Sequence, residues 1–347
     1  MPISPSHTNQ SIVGARVPSR TNQSIVGARV PSRTNQELAP SLENNPWLDI
    51  PYAELLASDP LEIRRQEAVL AAQEAVVPAP AGLVVENRSI PGLHPSSPEV
   101  RLRVYRQRGA EASRVLLYFH GGGFVFGNPE QSDELFYRLA PDSGYTVVSV
   151  AYRLAPESPF PAAIEDGYAA LLWLTHHGSE IGIDPQKIIV GGRSAGGALA
   201  TALTQMARDK KGPQIHFQLL SYPVTDYSCS SPSMLEFTAS PIWDYSGAKS
   251  SWKLYLTDHS LPVSPYASPL SATDFSNLPP AFIMACELDP LRDEAIEYAQ
   301  KLLQAGVAVE LQVIPGAIHV FDVFPSRLSD QYYQTQLRVL SSVFEAL

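Results

Sequence analysis

Beyond residue 80 the chain breaks into short blocks of β-branched and aliphatic residues, each closed by glycine, proline or polar positions. Such blocks read as strands at 83–90, 100–107, 115–119, 145–151, 188–192, 216–221, 281–286 and 309–314. Between the later blocks apolar residues recur every three or four positions, which predicts helices at 162–176, 195–208, 291–304 and 331–344. Strands alternating with helices imply an α/β fold, a mainly parallel sheet with helices on both faces. The alternation lapses from about 226 to 270, where Phe237, Trp243, Tyr245, Trp252 and Tyr255 gather in an insertion expected to form a cap. An earlier stretch, 46–77, carries Leu55, Leu56, Leu61, Ile63, Val69 and Leu70 at helical spacings and is expected to supply further cap helices. The chain therefore divides into a tail (1–40), N-terminal cap helices (41–80) and a main domain (81–347).

The tail contains a tandem copy: TNQSIVGARVPSR fills residues 8–20 and again 21–33, and a third TNQ starts at Thr34. Thirteen residues are too few for a solenoid unit, so the copies are read as a duplication within a disordered segment. Residues 1–36 hold four arginines and no acid, as an organelle-targeting peptide would, but Pro18 and Pro31 oppose the amphipathic helix such a peptide needs. A cytoplasmic location is the expectation. With 347 residues, 44% of them hydrophobic, the chain can bury one large core and a small cap. A formal net charge of −10 argues against a nucleic-acid partner, which calls for a concentrated basic face. Cys229 and Cys286 cannot make a disulfide framework, and neither belongs to a cluster with metal-ligand spacing. No apolar run approaches the roughly 20 residues that span a bilayer. Oligomeric state is left open between monomer and homodimer.

Candidate chemistry centres on Gly192-Arg193-Ser194-Ala195-Gly196, which fits G-x-S-x-G at a strand-to-helix junction. There a sharp turn strains the serine backbone and the glycines clear space around it. The spelling excludes a phosphate loop, since Ala198 follows Gly197 where lysine is needed, and a dinucleotide loop, since Gly191-Gly192-Arg193 breaks G-x-G. Upstream, a buried strand ends in His120-Gly121-Gly122-Gly123-Phe124, a run of backbone N–H groups free to face a ligand oxygen. Two of these glycine amides, with that of Ala195, could bind the negative charge of a tetrahedral intermediate. A serine needs a base, and the base an orienting acid. Of eight histidines, His7 lies in the tail, His94 in a proline-rich turn, His176 and His177 at a helix end, His216 by a strand and His259 in the insertion. His120 is expected to brace its own loop. His319, in a loop after the last strand and the expected turn Pro315-Gly316, is the candidate base. For the acid, Asp289 lies just past a strand end, with Glu287 and Asp293 as alternatives.

In order and spelling these motifs resemble the hormone-sensitive-lipase-like esterases, bacterial family IV. The match covers HGGGF at 120–124, YRLAPE at 152–157 running on through PFPAAIEDGYAAL, GRSAGG at 192–197, ASPL at 267–270, DPLRDE at 289–294 and H-x-F at 319–321. The resemblance implies an α/β-hydrolase fold with a helical cap, no cofactor, and hydrolysis of small carboxylic esters of short to medium acyl chain. It assigns the triad to Ser194, Asp289 and His319 and the oxyanion hole to Gly122, Gly123 and Ala195. Phe124, Trp243, Trp252 and Phe321 are the expected apolar pocket walls. Two alternatives stand beside a generalist: a dedicated esterase, dehydratase or acyltransferase of a specialised metabolite, and a non-catalytic receptor, a type that lacks the histidine present here. Where the family commonly has Asp, this chain has Arg193. Its charge would disfavour the imidazolium form of His319 unless an acid compensates, and Glu157, Asp166 and Glu287 are the candidates.

Overall fold

The computed structural model describes residues 33–43, 45–73, 77–257 and 262–345. Among these residues eight strands form one sheet: β1 (Leu83–Ile90), β2 (Val100–Gln107), β3 (Ser113–Phe119), β4 (Thr146–Ala151), β5 (Ile183–Arg193), β6 (Gln218–Ser221), β7 (Ala281–Leu288) and β8 (Val309–Ile318). Their spatial order is β1-β2-β4-β3-β5-β6-β7-β8, with β1, β2 and β4 paired antiparallel and every other pair parallel. The helices are α1 (Ala39–Leu42), α2 (Tyr52–Ser58), α3 (Pro60–Gln73), α4 (Asp133–Ser143), α5 (Ala162–His177), α6 (Ala195–Asp209), α7 (Pro232–Glu236), α8 (Tyr245–Tyr255), α9 (Arg292–Gln304) and α10 (Arg327–Ser342).

The central strands show why the sheet is covered twice. Along β3, Val115, Leu117 and Phe119 point into one core and Leu116 and Tyr118 into the other; Ile188 and Val190 of β5 oppose Ile189 in the same way. Successive side chains on a strand face opposite sides, so an unbroken apolar run needs two apolar layers. α5, α6 and α9 supply one, α4 and α10 the other.

Across the end of the sheet where β3, β5 and β7 finish, α2 packs on α8, and Tyr52 of α2 stacks on Phe126 at 5.2 Å. Arg64 of α3 reaches the same loop, its Nε donating to the Val125 carbonyl and Nη2 to that of Ala155, both at 2.7 Å. These bonds tie the segment before β1 to the glycine-rich loop after β3.

Two expectations need correction. Pro315-Gly316 is not a turn: β8 runs on to Ile318, and Leu288 pairs with Ile318 only two residues after Cys286 pairs with Ile314, so β8 bulges. β8 is an edge strand, where a proline without an N–H costs no ladder bond. The tail was expected to stay unstructured through residue 40, yet its end docks on that bulge. The Asn35 amide donates to the Gly316 carbonyl at 2.9 Å, the Ser41 hydroxyl donates to the Pro325 carbonyl at 2.6 Å, and Leu38 is wholly buried in the α4/α10 core. Residues 1–32, with nearly all of the duplication and His7, lie outside the described residues, as does His259. Among the described residues no helix is long and apolar enough to cross a membrane.

Truncating the buried anchor tests that docking. Leu38→Ala is expected to destabilise the fold by about 2–4 kcal/mol in urea unfolding; an unchanged midpoint would show that the segment is not bound.

Candidate active site

β3, β5, β7 and β8 run parallel, so their C-terminal ends share one edge, the usual place for a site in such sheets. Each of these ends carries one of the candidates. After β5, Ser194 is held at φ 53° and ψ −123°, a conformation that side chains rarely adopt, before the chain turns into α6. The turn closes because its neighbours lack side chains. A methyl on Gly196 would overlap the carbonyls of Phe119 and His120, so only glycine lets α6 lie this close to β3.

After β7, the Asp289 carboxylate accepts from the Leu291 amide through Oδ1 (2.9 Å), while Oδ2 faces His319 Nδ1 at 2.7 Å. After β8, the other ring nitrogen, Nε2, lies 3.0 Å from Ser194 Oγ. The pairing assigns the tautomer: Nδ1–H donates to the carboxylate, leaving the Nε2 lone pair to accept the serine proton. All three side chains are buried, Asp289 completely. The alternative acids are engaged elsewhere. Glu287 binds Arg33 and the Gly316 amide, and Asp293 binds the Ser233 amide and Arg292.

The glycine loop after β3 lies against this group. Gly122, at φ 118°, turns back so that its carbonyl accepts from the amides of Val125 and Phe126, both at 2.9 Å. Among the described residues the amides of Gly122, Gly123 and Ala195 donate to no protein acceptor. Gly123 and Ala195 are buried and Gly122 half-buried, and buried N–H groups are almost always paired, so these donors are the ones an incoming oxygen could engage. Of the remaining histidines, His177 pairs with Glu180 and His216 lies beside the Ile188 carbonyl, away from this edge.

Aromatic side chains before and within α8 pack on the glycine loop. A methyl on Gly123 would sit 2.7 Å from Trp243 Cη2, and the Trp243 ring lies 6.2 Å from that of His319. The Ser251 hydroxyl of α8 donates to the Gly123 carbonyl. Phe124 stacks on Tyr255 at 4.0 Å and meets Trp252 at 5.3 Å, so those two expected pocket residues pack together within the larger core. Phe321, expected there too, is instead buried in the opposite layer, 5.8 Å from Tyr332. It lies two residues past His319, where the short helical turn at Phe321–Val323 directs it into the α10 core.

The acid that balances Arg193 is Asp322, a residue the sequence did not single out. Its Oδ2 lies 3.6 Å from Arg193 Nη2, and it is the one acid within 4 Å among the described residues. The three acids named as candidates serve other cations: Glu157 pairs with Arg64, Asp166 with Arg153 and Glu287 with Arg33. Only the spacing of three residues after His319 could have pointed to Asp322, once the histidine's loop was placed beside the Ser194 turn.

Residues 116–323 match the family model described as an alpha/beta hydrolase fold. Among curated proteins, the chain is 45% identical over 207 residues to "Esterase LipI" of Mycobacterium tuberculosis, covering 59% of this chain and 64% of that protein. It is 40% identical to "Ethyl acetate hydrolase" of Pseudomonas putida, covering 63% of this chain and 70% of that protein. The match thus spans just under two thirds of the LipI length. Among solved structures, "Bacterial Heroin Esterase" superimposes with a TM-score of 0.83 at 38% identity, covering 90% of this chain and 98% of that one.

His120, at the head of the glycine loop, has an acid-lability consequence of its own. Burial holds its imidazole down to about 4, only partly opposed by the hydrogen bond of Nδ1 to the Gly121 carbonyl (2.7 Å). Above about pH 6.5 the group costs the fold nothing. As pH falls from there toward 4, the unfolded chain takes up a proton that the folded one refuses, and about 3 kcal/mol of stability is lost. Urea midpoints of the wild type should therefore drop more steeply between pH 6.5 and 4.5 than those of His120→Gln; parallel curves would contradict this.

Proposed function

The chain belongs to the α/β-hydrolase fold family, and on that premise we propose that it hydrolyses carboxylic esters through an acyl-enzyme on Ser194. One observation carries the reading: the unbroken chain Asp289–His319–Ser194, with contacts of 2.7 and 3.0 Å, beside three unpaired amides. A serine hydroxyl is a weak nucleophile until a base takes its proton, and His319 Nε2 is within reach to do so as Ser194 attacks the ester carbonyl. The carbonyl oxygen becomes an alkoxide facing the amides of Gly122, Gly123 and Ala195. In a buried setting one such donor is worth roughly 3 kcal/mol of barrier. Asp289 holds the tautomer and stabilises the imidazolium that forms. His319 returns the proton to the leaving alcohol, then draws one from water as it attacks the acyl-enzyme, and gives that proton to Ser194 Oγ as the acid departs.

Esters of short to medium acyl chain are the preferred substrates in this reading. The indole of Trp243 lies against Gly123, and bulk so close to the glycine loop favours a small acyl group. One relative is named for ethyl acetate, an ester of a two-carbon acid, which fits that size.

Ser194→Ala is expected to lower hydrolysis of p-nitrophenyl butyrate by at least ~10³-fold while circular dichroism stays that of the wild type. Undiminished turnover would refute the assignment. In a panel of p-nitrophenyl esters, acetate and butyrate should exceed laurate by at least ~10-fold in kcat/KM; equal rates would overturn the chain-length preference.

A further inference from the structure

Arg193, the residue before the candidate nucleophile, is a buried cation, its side chain only 7% exposed. A guanidinium cannot shed its proton, so burial leaves a full charge that must be met by partners. Two are present. Arg193 Nε donates to the Tyr118 hydroxyl of β3 at 3.0 Å, and Nη2 faces Asp322 Oδ2 at 3.6 Å. Asp322 belongs to the same loop as His319, three residues on. Its other oxygen, Oδ1, accepts from the Tyr222 hydroxyl at 2.5 Å, and the Tyr222 ring stands edge-on to the His319 ring with centroids 4.9 Å apart. A closed circuit results: Arg193 to Asp322, Asp322 to Tyr222, Tyr222 to His319, and His319 to Ser194, the next residue along from Arg193.

The loop needs such a restraint. Val320, directly after His319, sits at φ 53° and ψ 26°, a left-handed conformation that costs a β-branched residue on the order of 1–2 kcal/mol. Released, that residue would relax toward ordinary backbone angles and carry His319 with it.

We propose that the Arg193–Asp322 pair is a clamp that holds the His319 loop on the Ser194 turn, with Asp322 and Tyr222 as positioning residues for the base. The proposal rests on the reading of His319 as the base of an ester hydrolase. Asp322 acts in two ways. It fixes the strained loop through Tyr222, and it cancels a cation that would otherwise disfavour the imidazolium formed during attack. The other groups facing His319 do not duplicate this. Asp289 is already committed to Nδ1, and Ser194 is neutral. The Cys286 thiol is pushed well up by burial, the Glu294 carboxyl is pushed well up too and its Oε1 is committed to the Thr225 and Asp226 amides, and Trp243 does not titrate.

The test compares wild type, Asp322→Asn and Arg193→Met/Asp322→Asn. Asparagine keeps an acceptor for Tyr222 but removes the charge, leaving Arg193 uncompensated. Two readouts are taken: kcat and KM on p-nitrophenyl butyrate across pH, and NMR titration of the His319 ring, which does not require turnover. For Asp322→Asn we expect kcat down about 100-fold with KM within about 2-fold. The His319 titration and the acidic limb of kcat/KM should both move about one pH unit lower. Deleting the cation in the double variant should return both midpoints to the wild-type position. A His319 titration unmoved in Asp322→Asn, or moved but not restored in the double variant, overturns the clamp. If Asp322→Asn does not fold, recovery of folding and of the His319 midpoint in the double variant supports the proposal, and continued failure to fold overturns it. A wild type without ester turnover but with the expected NMR shifts would refute the ester reading and leave the clamp standing.

Discussion

The backbone at Ser194 is the constraint on which the rest of the molecule depends. A non-glycine residue at φ 53° and ψ −123° costs on the order of 1–3 kcal/mol and persists only where its surroundings over-determine it. Here they do. The Ser194 amide donates to the Ser221 carbonyl at the end of β6, and its carbonyl accepts from Val224 just beyond, so the turn is pinned to the next strand. Gly196 lets α6 approach β3, which presses the turn against the loop that begins at His120. Relaxing the angle would require parting α6 from the sheet at the centre of the larger core.

From that turn outward the site is assembled at strand ends rather than within any one element. Asp289 follows β7, His319 follows β8 and Gly122 and Gly123 follow β3, so the sheet register sets their separations. Two segments remote in sequence hold these loops from outside. α3, α8 and the segment before α8 reach the glycine loop through Arg64, Ser251 and Trp243. Residues 33–42 reach the other side, where Asn35 bonds the bulge of β8 three residues before His319. The bulge lengthens β8 against β7, and with it the strand carries the chain up to the histidine without an intervening turn.

Much of this was legible in the chain itself. Strands of the central sheet announce themselves as unbroken apolar runs, because burial on both faces leaves no polar alternation to misread. Ser194, Asp289 and His319 stood out because each chemical group lies just past such a run. Less legible were features made by contacts between remote segments. Pro315-Gly316 has turn composition and becomes strand only because β8 is an edge whose bulge is filled by Asn35. Leu38 and Leu42, four residues apart, gave too short a pattern to reveal docking beside a duplicated polar tract. Phe321 shares a motif with His319, yet the helical turn after the histidine sends it to the opposite layer. Asp322 lies 129 positions from the arginine it neutralises, beyond anything local pattern can connect.

Covalent trapping reads most directly whether Ser194 is the residue acylated. A p-nitrophenyl phosphonate should add one equivalent to the intact protein. Trypsin cuts after Arg193, so the adduct is predicted on the peptide 194–208, whose only serine is Ser194. Substitution of stoichiometric amount on any other peptide, or none at all from a folded protein that still cleaves esters, would contradict the account.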